Sequence, residues 1–235
     1  MESIAISLGW DCDAAIIGVE RGFRKTRENG YHTCPFDLML SNYPGVIDCL
    51  YNNFKGFTDP NNLKFLSVPE CALRNSGERI IINTKYRFMF NHESPEHAGL
   101  YDKEGWEGGK MHFVADNFEN FIKRYQRRIE NFQNYINSGN KIVFLLNRPQ
   151  RDFSELIKCL DTVYPNLDYE IRNVYRLRKS NPIMFFEVHQ QMGFSMEDKE
   201  IVSARKALGS FAKDYPLTKY KSELIDTYTD VAKDT

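Results

Sequence analysis

The first cysteine of the chain stands where a reactive thiol would be expected. Residues 4–8 form a short apolar segment that ends at Gly9, which is typical of a buried strand followed by a tight turn. Cys12 comes three residues later, in the first turn of a predicted helix that Asp11 could cap. Backbone N–H groups at the start of a helix favour an anion and lower the pKa of a thiol below about 8.5. Cys12 is therefore a candidate nucleophile, although a cysteine here can equally be a small buried residue of the core.

A thiol nucleophile needs a base, and His92 is the first choice among the histidines. An imidazole within hydrogen-bond reach of the Cys12 sulfur could take the thiol proton and return it to a leaving group. A carboxylate or an amide would orient the ring, and the candidates for this role are Asp37, Asn91 and Glu93. The other histidines in loops are weaker alternatives: His32, His97 and His112. No two histidines have the spacing of a zinc-protease helix, so no metal site is predicted.

Further candidates for substrate binding follow the predicted strands. In open α/β sheets, ligands bind in the crevice outside the carboxyl ends of the strands. This rule selects small, polar and aromatic residues from four separate segments. They are Gly9, Trp10 and Asp11 after the first strand, Asn91 after the strand over 86–90, Asn147 and Arg148 after the strand over 141–146, and His189 after the strand over 183–188.

Strands and helices alternate along the chain and would bring these residues together. Helices are predicted over 11–19, 43–54, 116–138, 153–164 and 198–215, and strands over 4–8, 79–83, 86–90, 141–146, 169–174 and 183–188. The alternation indicates an α/β fold with a mostly parallel sheet and helices on both faces, in a Rossmann-like arrangement of three layers. A single domain over 1–235 is expected, with a polar C-terminal tail from about residue 217.

Composition and charge argue against several classes of partner. The 235 residues carry 31 basic and 32 acidic side chains, and the net charge of -1 argues against binding to nucleic acid. The longest apolar runs fall well short of the roughly 20 residues that cross a bilayer. The first residues lack a basic and apolar leader, so a cytoplasmic location is expected. Five cysteines without C-x-x-C spacing indicate free thiols.

Two sequence features bear on phosphate binding. The turn at Gly9 leads from a strand into a helix, where free N–H groups can hold a phosphate, but a single glycine makes neither a dinucleotide fingerprint nor a P-loop. Arg148 could pair bidentately with a diphosphate. A basic run shares its helix with Glu119 and Glu130, which is typical of a solvated or salt-bridged face; its members are Lys123, Arg124, Arg127 and Arg128.

Four motifs occur in a recognisable order along the first part of the chain. They are SLGWDC at 7–12, CPFD at 34–37, FNH at 90–92 and KRYQRRI at 123–129, followed by IVF at 142–144. This order, over about residues 4–147, resembles an uncharacterised family labelled as papain-like cysteine peptidases. The resemblance implies that Cys12 is the nucleophile, that His92 is its base and that Asp37 supports the site.

The chain departs from that resemblance at two points. Leu38 stands where an aromatic residue is expected after the aspartate, and the glutamine and Cys-Trp signature of authentic papains is absent. The parallel strands predicted after Cys12 also differ from a papain fold, so a Rossmann-like sheet is expected instead.

Three functions follow as hypotheses, and the oligomeric state is left open. The first is a cysteine-dependent hydrolase or acyl-transfer enzyme that acts on a peptide or glycan through Cys12, His92 and Asp37 without a cofactor. Members of the similar family often accompany polysaccharide-building enzymes, so the second is a glycosyltransferase with a nucleotide-sugar donor. In that enzyme Arg148 or Lys179 would neutralise the diphosphate, and Asp37 or His92 would act as base. The third is a non-catalytic groove for a glycan or peptide, lined by Trp10, Tyr31, Tyr101 and Trp106.

Overall fold

The computed structural model describes residues 3–9, 11–67, 79–95, 105–147 and 152–174. These residues form a mixed α/β protein with two sheets. The strands are β1 (Ser3–Ser7), β2 (Leu63–Ser67), β3 (Arg79–Asn83), β4 (Phe88–Phe90), β5 (Lys141–Leu146) and β6 (Tyr169–Asn173). The helices are α1 (Asp13–Glu20), α2 (Tyr43–Tyr51), α3 (Ala115–Ile136) and α4 (Ser154–Val163).

Three strands form a parallel sheet in the order β1-β5-β6. The register pairs Ile4 with Ile142 across β1 and β5, and Ile142 with Tyr169 across β5 and β6. Parallel strands need a crossover between them, and the segments that connect them include α1 to α4. This sheet confirms the predicted α/β class, and the strand predicted over 141–146 has the bounds of β5.

The two faces of β5 pack against different helices. Val143 and Leu145 share a small apolar cluster with Ala14 and Ile17 of α1. Successive side chains of a strand point to opposite faces, so the alternate residues of β5 point away from α1. Those residues, Ile142, Phe144 and Leu146, belong to the main core, to which α3 and α4 also contribute. A strand buried on both faces explains why β5 is apolar throughout.

A second sheet is antiparallel and has the order β2-β3-β4. The pairing predicted for residues 79–83 and 86–90 is confirmed, although β4 begins only at Phe88. The two residues before it belong to the turn, where Arg87 has a φ of 59° and the Asn83 side chain accepts a hydrogen bond from the Tyr86 backbone N–H at 2.9 Å. The β2 strand is not among the predicted elements, although its alternation of Leu63, Lys64 and Phe65 is the pattern of a half-buried strand.

Aromatic side chains join the antiparallel sheet to α3. The Phe57 ring is fully buried and lies 5.4–6.2 Å, centroid to centroid, from each of five other rings. Those rings come from segments far apart in sequence and include Tyr125 of α3. Aromatic pairs at such separations add to the stabilisation that burial provides. The five neighbours are Phe36, Phe54, Phe88, Phe90 and Tyr125.

The helix ends show where local chemistry sets the boundaries. The α2 helix starts after Asn42, whose side chain accepts a hydrogen bond from the Gly45 backbone N–H at 2.8 Å, as a preferred N-cap residue does. The first turn of α3 is irregular, with φ values of 50° to 68° over residues 116–118.

None of the helices in the described ranges has the length and hydropathy needed to cross a membrane. The strand predicted over 183–188 and the helix over 198–215 lie outside the described residues, and the single-domain assignment stays a prediction.

Replacing Phe57 with alanine should lower the free energy of unfolding by about 3–5 kcal/mol, because the substitution leaves a cavity where five rings meet. Urea unfolding followed by circular dichroism measures this loss. The matched control is Tyr51→Ala at an aromatic side chain that is 43% exposed, for which a change within about 0.5 kcal/mol is expected. Equal losses in the two variants would contradict the central position of Phe57.

Candidate functional site

The turn between β1 and α1 requires a glycine at its first position. Gly9 has a φ of 91°, a conformation that other residues adopt only with strain. A Cβ atom at this position would lie 1.9 Å from the Ser41 hydroxyl oxygen. The Gly9 backbone N–H donates to the Ser7 hydroxyl at 3.1 Å, which fixes the turn from within. The loop that carries Ser41 is therefore packed directly against the turn after β1.

Hydrogen bonds join the carboxyl ends of β1 and β5 beyond the last strand residues. The Asn147 backbone N–H donates to the Gly9 carbonyl at 3.0 Å, and the Asn147 side-chain amide donates to the Asp11 carboxylate at 2.9 Å. The same carboxylate oxygen accepts from the Asp13 backbone N–H at 2.8 Å, in the first turn of α1. Three of the predicted binding residues, Gly9, Asp11 and Asn147, thus meet at one edge of the parallel sheet. Their contact with a substrate stays a prediction.

Cys12 lies at this edge, as the N-cap residue of α1. It is partly exposed, whereas the other three cysteines of the described ranges are buried free thiols. Burial raises the pKa of Cys159 to about 11 and holds the pKa values of Cys34 and Cys49 well above the ordinary thiol value. Those three thiols are therefore protonated and shielded at neutral pH, while Cys12 is the accessible one among the four.

His92 follows a strand of the antiparallel sheet, whereas the prediction placed it after a strand of the parallel sheet. The strand that precedes Asn91 and His92 is β4 of the antiparallel sheet, so the rule about the carboxyl ends of parallel strands does not apply to these two residues. Instead, Leu40 and Met89 form an antiparallel bridge with two backbone hydrogen bonds of 2.9 Å. This bridge joins β4 to the loop whose next residue, Ser41, packs against the turn after β1.

Both Asp37 and His92 lie close to this bridge in sequence. Asp37 lies three residues before Leu40, and His92 lies three residues after Met89. A contact between Asp37 and His92 stays a prediction. The short 3-10 turn at Asn91–Glu93 is held to β3 and β4 by Ser94, whose hydroxyl accepts from the Ile81 N–H at 3.0 Å and donates to the Phe90 carbonyl at 2.7 Å.

Asp37 is a buried carboxylate with three described hydrogen-bond donors. It accepts from the Arg24 guanidinium at 2.6 Å, from the Cys34 backbone N–H at 2.8 Å and from the Tyr31 hydroxyl at 3.4 Å. Burial raises the pKa of Asp37, although Arg24 and the Cys34 N–H act in the opposite direction. The hydrogen bond to Cys34 closes the turn at 34–37, so the CPFD motif has a conformational role. None of these three contacts involves His92, and an orienting role for Asp37 stays a prediction.

Glu93 is fully buried and pairs with two arginines of α3. One carboxylate oxygen lies 3.0 Å from Arg124 Nε and 3.1 Å from Arg128 Nη1. The other oxygen accepts a hydrogen bond from the Tyr125 hydroxyl at 3.0 Å. Glu93 is one of the candidate orienting groups for His92, and these contacts show that it also ties the turn carrying His92 to α3.

The basic run on α3 is salt-bridged, as predicted, but at Arg128 the ion pair is buried and its partner Glu93 lies outside the helix. The Lys123 ammonium does form an exposed pair with Glu119. The Arg128 side chain, however, is only 4% exposed and its guanidinium lies 4.6 Å from the Tyr125 ring centroid. The signal is present in the spacing, because residues 121, 125, 128 and 132 form one stripe of a helix and three of them are aromatic. An arginine in an apolar stripe needs a buried partner, and Glu93 provides it.

Three predicted binding residues, Trp10, Arg148 and His189, lie outside the described residues. No group of three or more His, Cys, Asp or Glu side chains that could hold a metal ion occurs within the described ranges.

The parallel sheet, with a partly exposed thiol at its first strand-to-helix turn, defines an α/β protein with a candidate thiol site. The chain belongs to the family DUF1796, described as "Putative papain-like cysteine peptidase", whose model matches residues 3–176, about three quarters of the chain. This match confirms the resemblance found in the sequence motifs. No curated protein and no solved structure matches the chain.

Replacing Glu93 with glutamine should lower the free energy of unfolding by about 3 kcal/mol or more, because the substitution leaves two guanidinium groups next to a neutral amide in a buried place. Denaturant unfolding of the two proteins measures the difference. Glu119→Gln removes the partner of an exposed lysine on the same helix and should cost less than about 1 kcal/mol. If both substitutions cost the same small amount, Glu93 does not hold the turn to α3.

Proposed function

We propose that the protein is a cysteine-dependent hydrolase or acyl-transfer enzyme in which Cys12 is the nucleophile and His92 is its base. The observation that carries the proposal is the position of Cys12, a partly exposed thiol at the start of α1, where the ends of β1 and β5 meet. Membership of a family described as papain-like cysteine peptidases supports the same reaction class and favours a peptide substrate.

The local backbone favours an anion at the Cys12 sulfur. Backbone N–H groups in the first turn of a helix stabilise a thiolate, and α1 has eight residues over which peptide dipoles add. Asp11 is engaged with Asn147 and with the backbone of α1, so its carboxylate serves to hold the turn. Asn147 in turn links this arrangement to β5, which makes the turn rigid enough for a nucleophile.

The position of His92 is supported by the contacts of its neighbours. Glu93 anchors the turn to α3, and Ser94 anchors it to β3 and β4. The bridge between Leu40 and Met89 connects this region to the loop against the β1 turn. We assign Asp37 to the support of this region through the turn at 34–37, in keeping with its place in the family motif.

The reaction would follow the usual course for a thiol and an imidazole. The imidazole of His92 takes the thiol proton, and the Cys12 sulfur attacks the carbonyl carbon of an amide or ester. The C–N or C–O bond breaks as the imidazolium returns the proton to the leaving amine or alcohol, which leaves a thioester on Cys12. Water, or an acceptor nucleophile in a transfer reaction, then attacks the thioester carbonyl while His92 takes its proton. The C–S bond breaks, the acyl group leaves as a carboxylic acid or as the transfer product, and the imidazolium returns the proton to the Cys12 sulfur.

The reactivity of Cys12 towards iodoacetamide tests the thiol and imidazole pair without a known substrate. We expect alkylation of Cys12 to be rapid at pH 6 and nearly independent of pH between about 6 and 8, because a thiolate paired with an imidazolium persists there. In the His92→Gln variant the rate at pH 6 should fall by about tenfold or more. Peptide mapping by mass spectrometry follows Cys12 and, as an internal reference, the buried Cys159.

The matched control is His112→Gln, which removes a partly buried imidazole from a loop outside this site. Its Cys12 alkylation profile should equal that of the wild type. A Cys12 rate that rises with pH as for an ordinary thiol, and that is the same in all three proteins, would contradict the proposed pair.

A second candidate is a glycosyltransferase with a nucleotide-sugar donor, and the observation that favours it is the convergence of Gly9, Asp11 and Asn147 at the edge of a parallel sheet. If this is the function, uridine, guanosine or cytidine diphospho-sugars at 100 times their Kd should stabilise the protein by about 2.7 kcal/mol. Thermal unfolding with and without Mn²⁺ measures this. Asn147→Ala should abolish the shift. The absence of any shift in the wild type would exclude this candidate, and a shift that Asn147→Ala leaves intact would assign the ligand to a site other than the sheet edge.

A further inference from the structure

A basic groove lies along α3, which contributes arginines to its lining. It consists of two adjoining pockets of about 320 and 310 Å³. Both pockets are lined by Arg27, Arg124 and Arg127, so these three arginines form the boundary between them. Neither pocket is lined by a carboxylate within the described part of the chain. We name this feature the arginine groove.

We propose that the arginine groove binds a small organic molecule that carries a diphosphate group. Guanidinium groups pair bidentately with phosphate oxygens, and three of them between two pockets match two neighbouring phosphoryl groups. Each pocket lies at the lower end of the roughly 300 to 1,000 Å³ that small-ligand sites occupy, so together they leave room for an organic moiety. The proposal holds whether or not Cys12 acts as a nucleophile.

The first wall of the groove is fixed to α3 by hydrogen bonds. The Asn131 side-chain amide donates to the Thr33 carbonyl at 3.0 Å, and the His32 backbone N–H donates to the Tyr135 hydroxyl at 2.6 Å. The Tyr31 ring also stacks on the Tyr135 ring, with 5.5 Å between the centroids. The loop that carries Arg27 therefore has a defined position relative to the helix.

The second wall is fixed in a similar way. The Asn120 side-chain amide donates to the His112 carbonyl at 3.2 Å. The Trp106 and His112 rings stack with 4.9 Å between their centroids, and the Phe113 ring packs edge-on against Trp106 at the same separation. The Arg124 guanidinium lies 5.1 Å from the Phe113 ring centroid. A preorganised groove of this kind loses little entropy when a ligand binds.

The charges in the groove divide into a buried part and an exposed part. Arg124 and Arg128 line the groove and are paired with Glu93, which fixes their direction. Arg27 and Arg127 are exposed, and no carboxylate of the described ranges lies within 4 Å of either guanidinium. A positively charged recess with its own rigid base is suited to an anion that is small enough to enter it. The balanced charge of the whole chain does not favour an extended polyanion such as nucleic acid.

The test is isothermal titration calorimetry of the full chain with pyrophosphate at about 50 and 150 mM NaCl, with orthophosphate and a single-stranded oligonucleotide as further arms. We expect saturable binding of pyrophosphate that is at least tenfold tighter than that of orthophosphate. Arg27→Gln and Arg127→Gln should each weaken pyrophosphate binding by about tenfold or more, since each removes a charge-assisted hydrogen bond. Both residues are exposed, so the variants should unfold at the same denaturant concentration as the wild type.

Two control variants distinguish binding in the arginine groove from general charge attraction and from binding at the edge of the parallel sheet. Lys158→Gln removes an exposed charge of α4 that lines neither pocket and should change the affinity by twofold at most. Asn147→Ala perturbs the sheet edge and should leave pyrophosphate binding unchanged. The proposal is overturned if pyrophosphate does not bind, if Asn147→Ala abolishes binding while the arginine variants do not, if orthophosphate binds equally well, or if only the oligonucleotide binds.

Discussion

The buried carboxylate of Glu93 joins the antiparallel sheet to the long helix α3. It follows β4 by three residues, accepts a hydrogen bond from the Tyr125 hydroxyl, and forms ion pairs with Arg124 and Arg128 of the same helix. An ionised carboxylate without partners cannot be buried at an acceptable free energy, so the helix and the turn must be kept together. Two features of the molecule depend on this contact: the turn that carries His92, and the direction of Arg124 and Arg128 in the lining of the arginine groove.

A second buried ion pair extends this arrangement towards the parallel sheet. Asp37 is paired with Arg24, which follows α1, and the positive charge of Arg128 acts on Asp37 as well as on Glu93. The pKa of Arg128 is raised because, although burial opposes it, Tyr125, Glu93 and Asp37 together favour the charged guanidinium. The loops on either side of the CPFD motif are therefore positioned by charge as well as by apolar contact. The pair joins the segment after α1 to the CPFD motif, and Arg128 relates that motif electrostatically to Glu93.

The sequence predicted the regular elements well, because their signals are local. The β5 strand is a continuous apolar run. The apolar periodicity of α3 predicts one long helix, and Gly139, with a φ of 75°, follows the end of that helix. The turn at Gly9 and its proximity to Asn147 followed from the topology of a parallel sheet. These predictions needed only the periods of strands and helices and one rule about sheet edges.

What the sequence did not predict depends on contacts between distant segments. The assignment of β4 to a separate antiparallel sheet follows from its pairing with β3 and from the bridge between Leu40 and Met89, which leave no local signal. The charged residues of α3 are similar in sequence, yet Arg128 is buried and Arg127 is exposed. The helical spacing places Arg128 on the buried stripe, but its negatively charged partners, Glu93 and Asp37, come from segments far away in sequence.

The most direct test of whether Cys12 is a nucleophile served by His92 is the detection of an acyl group on Cys12 during turnover. The full chain would be mixed with p-nitrophenyl acetate, quenched in acid and mapped by mass spectrometry. We expect a rapid release of one equivalent of p-nitrophenolate, a thioester on Cys12 that hydroxylamine removes, and slower acylation in His92→Gln. Release of p-nitrophenolate at the same rate in Cys12→Ala, with no acyl group on Cys12 in the wild type, would contradict this role for Cys12.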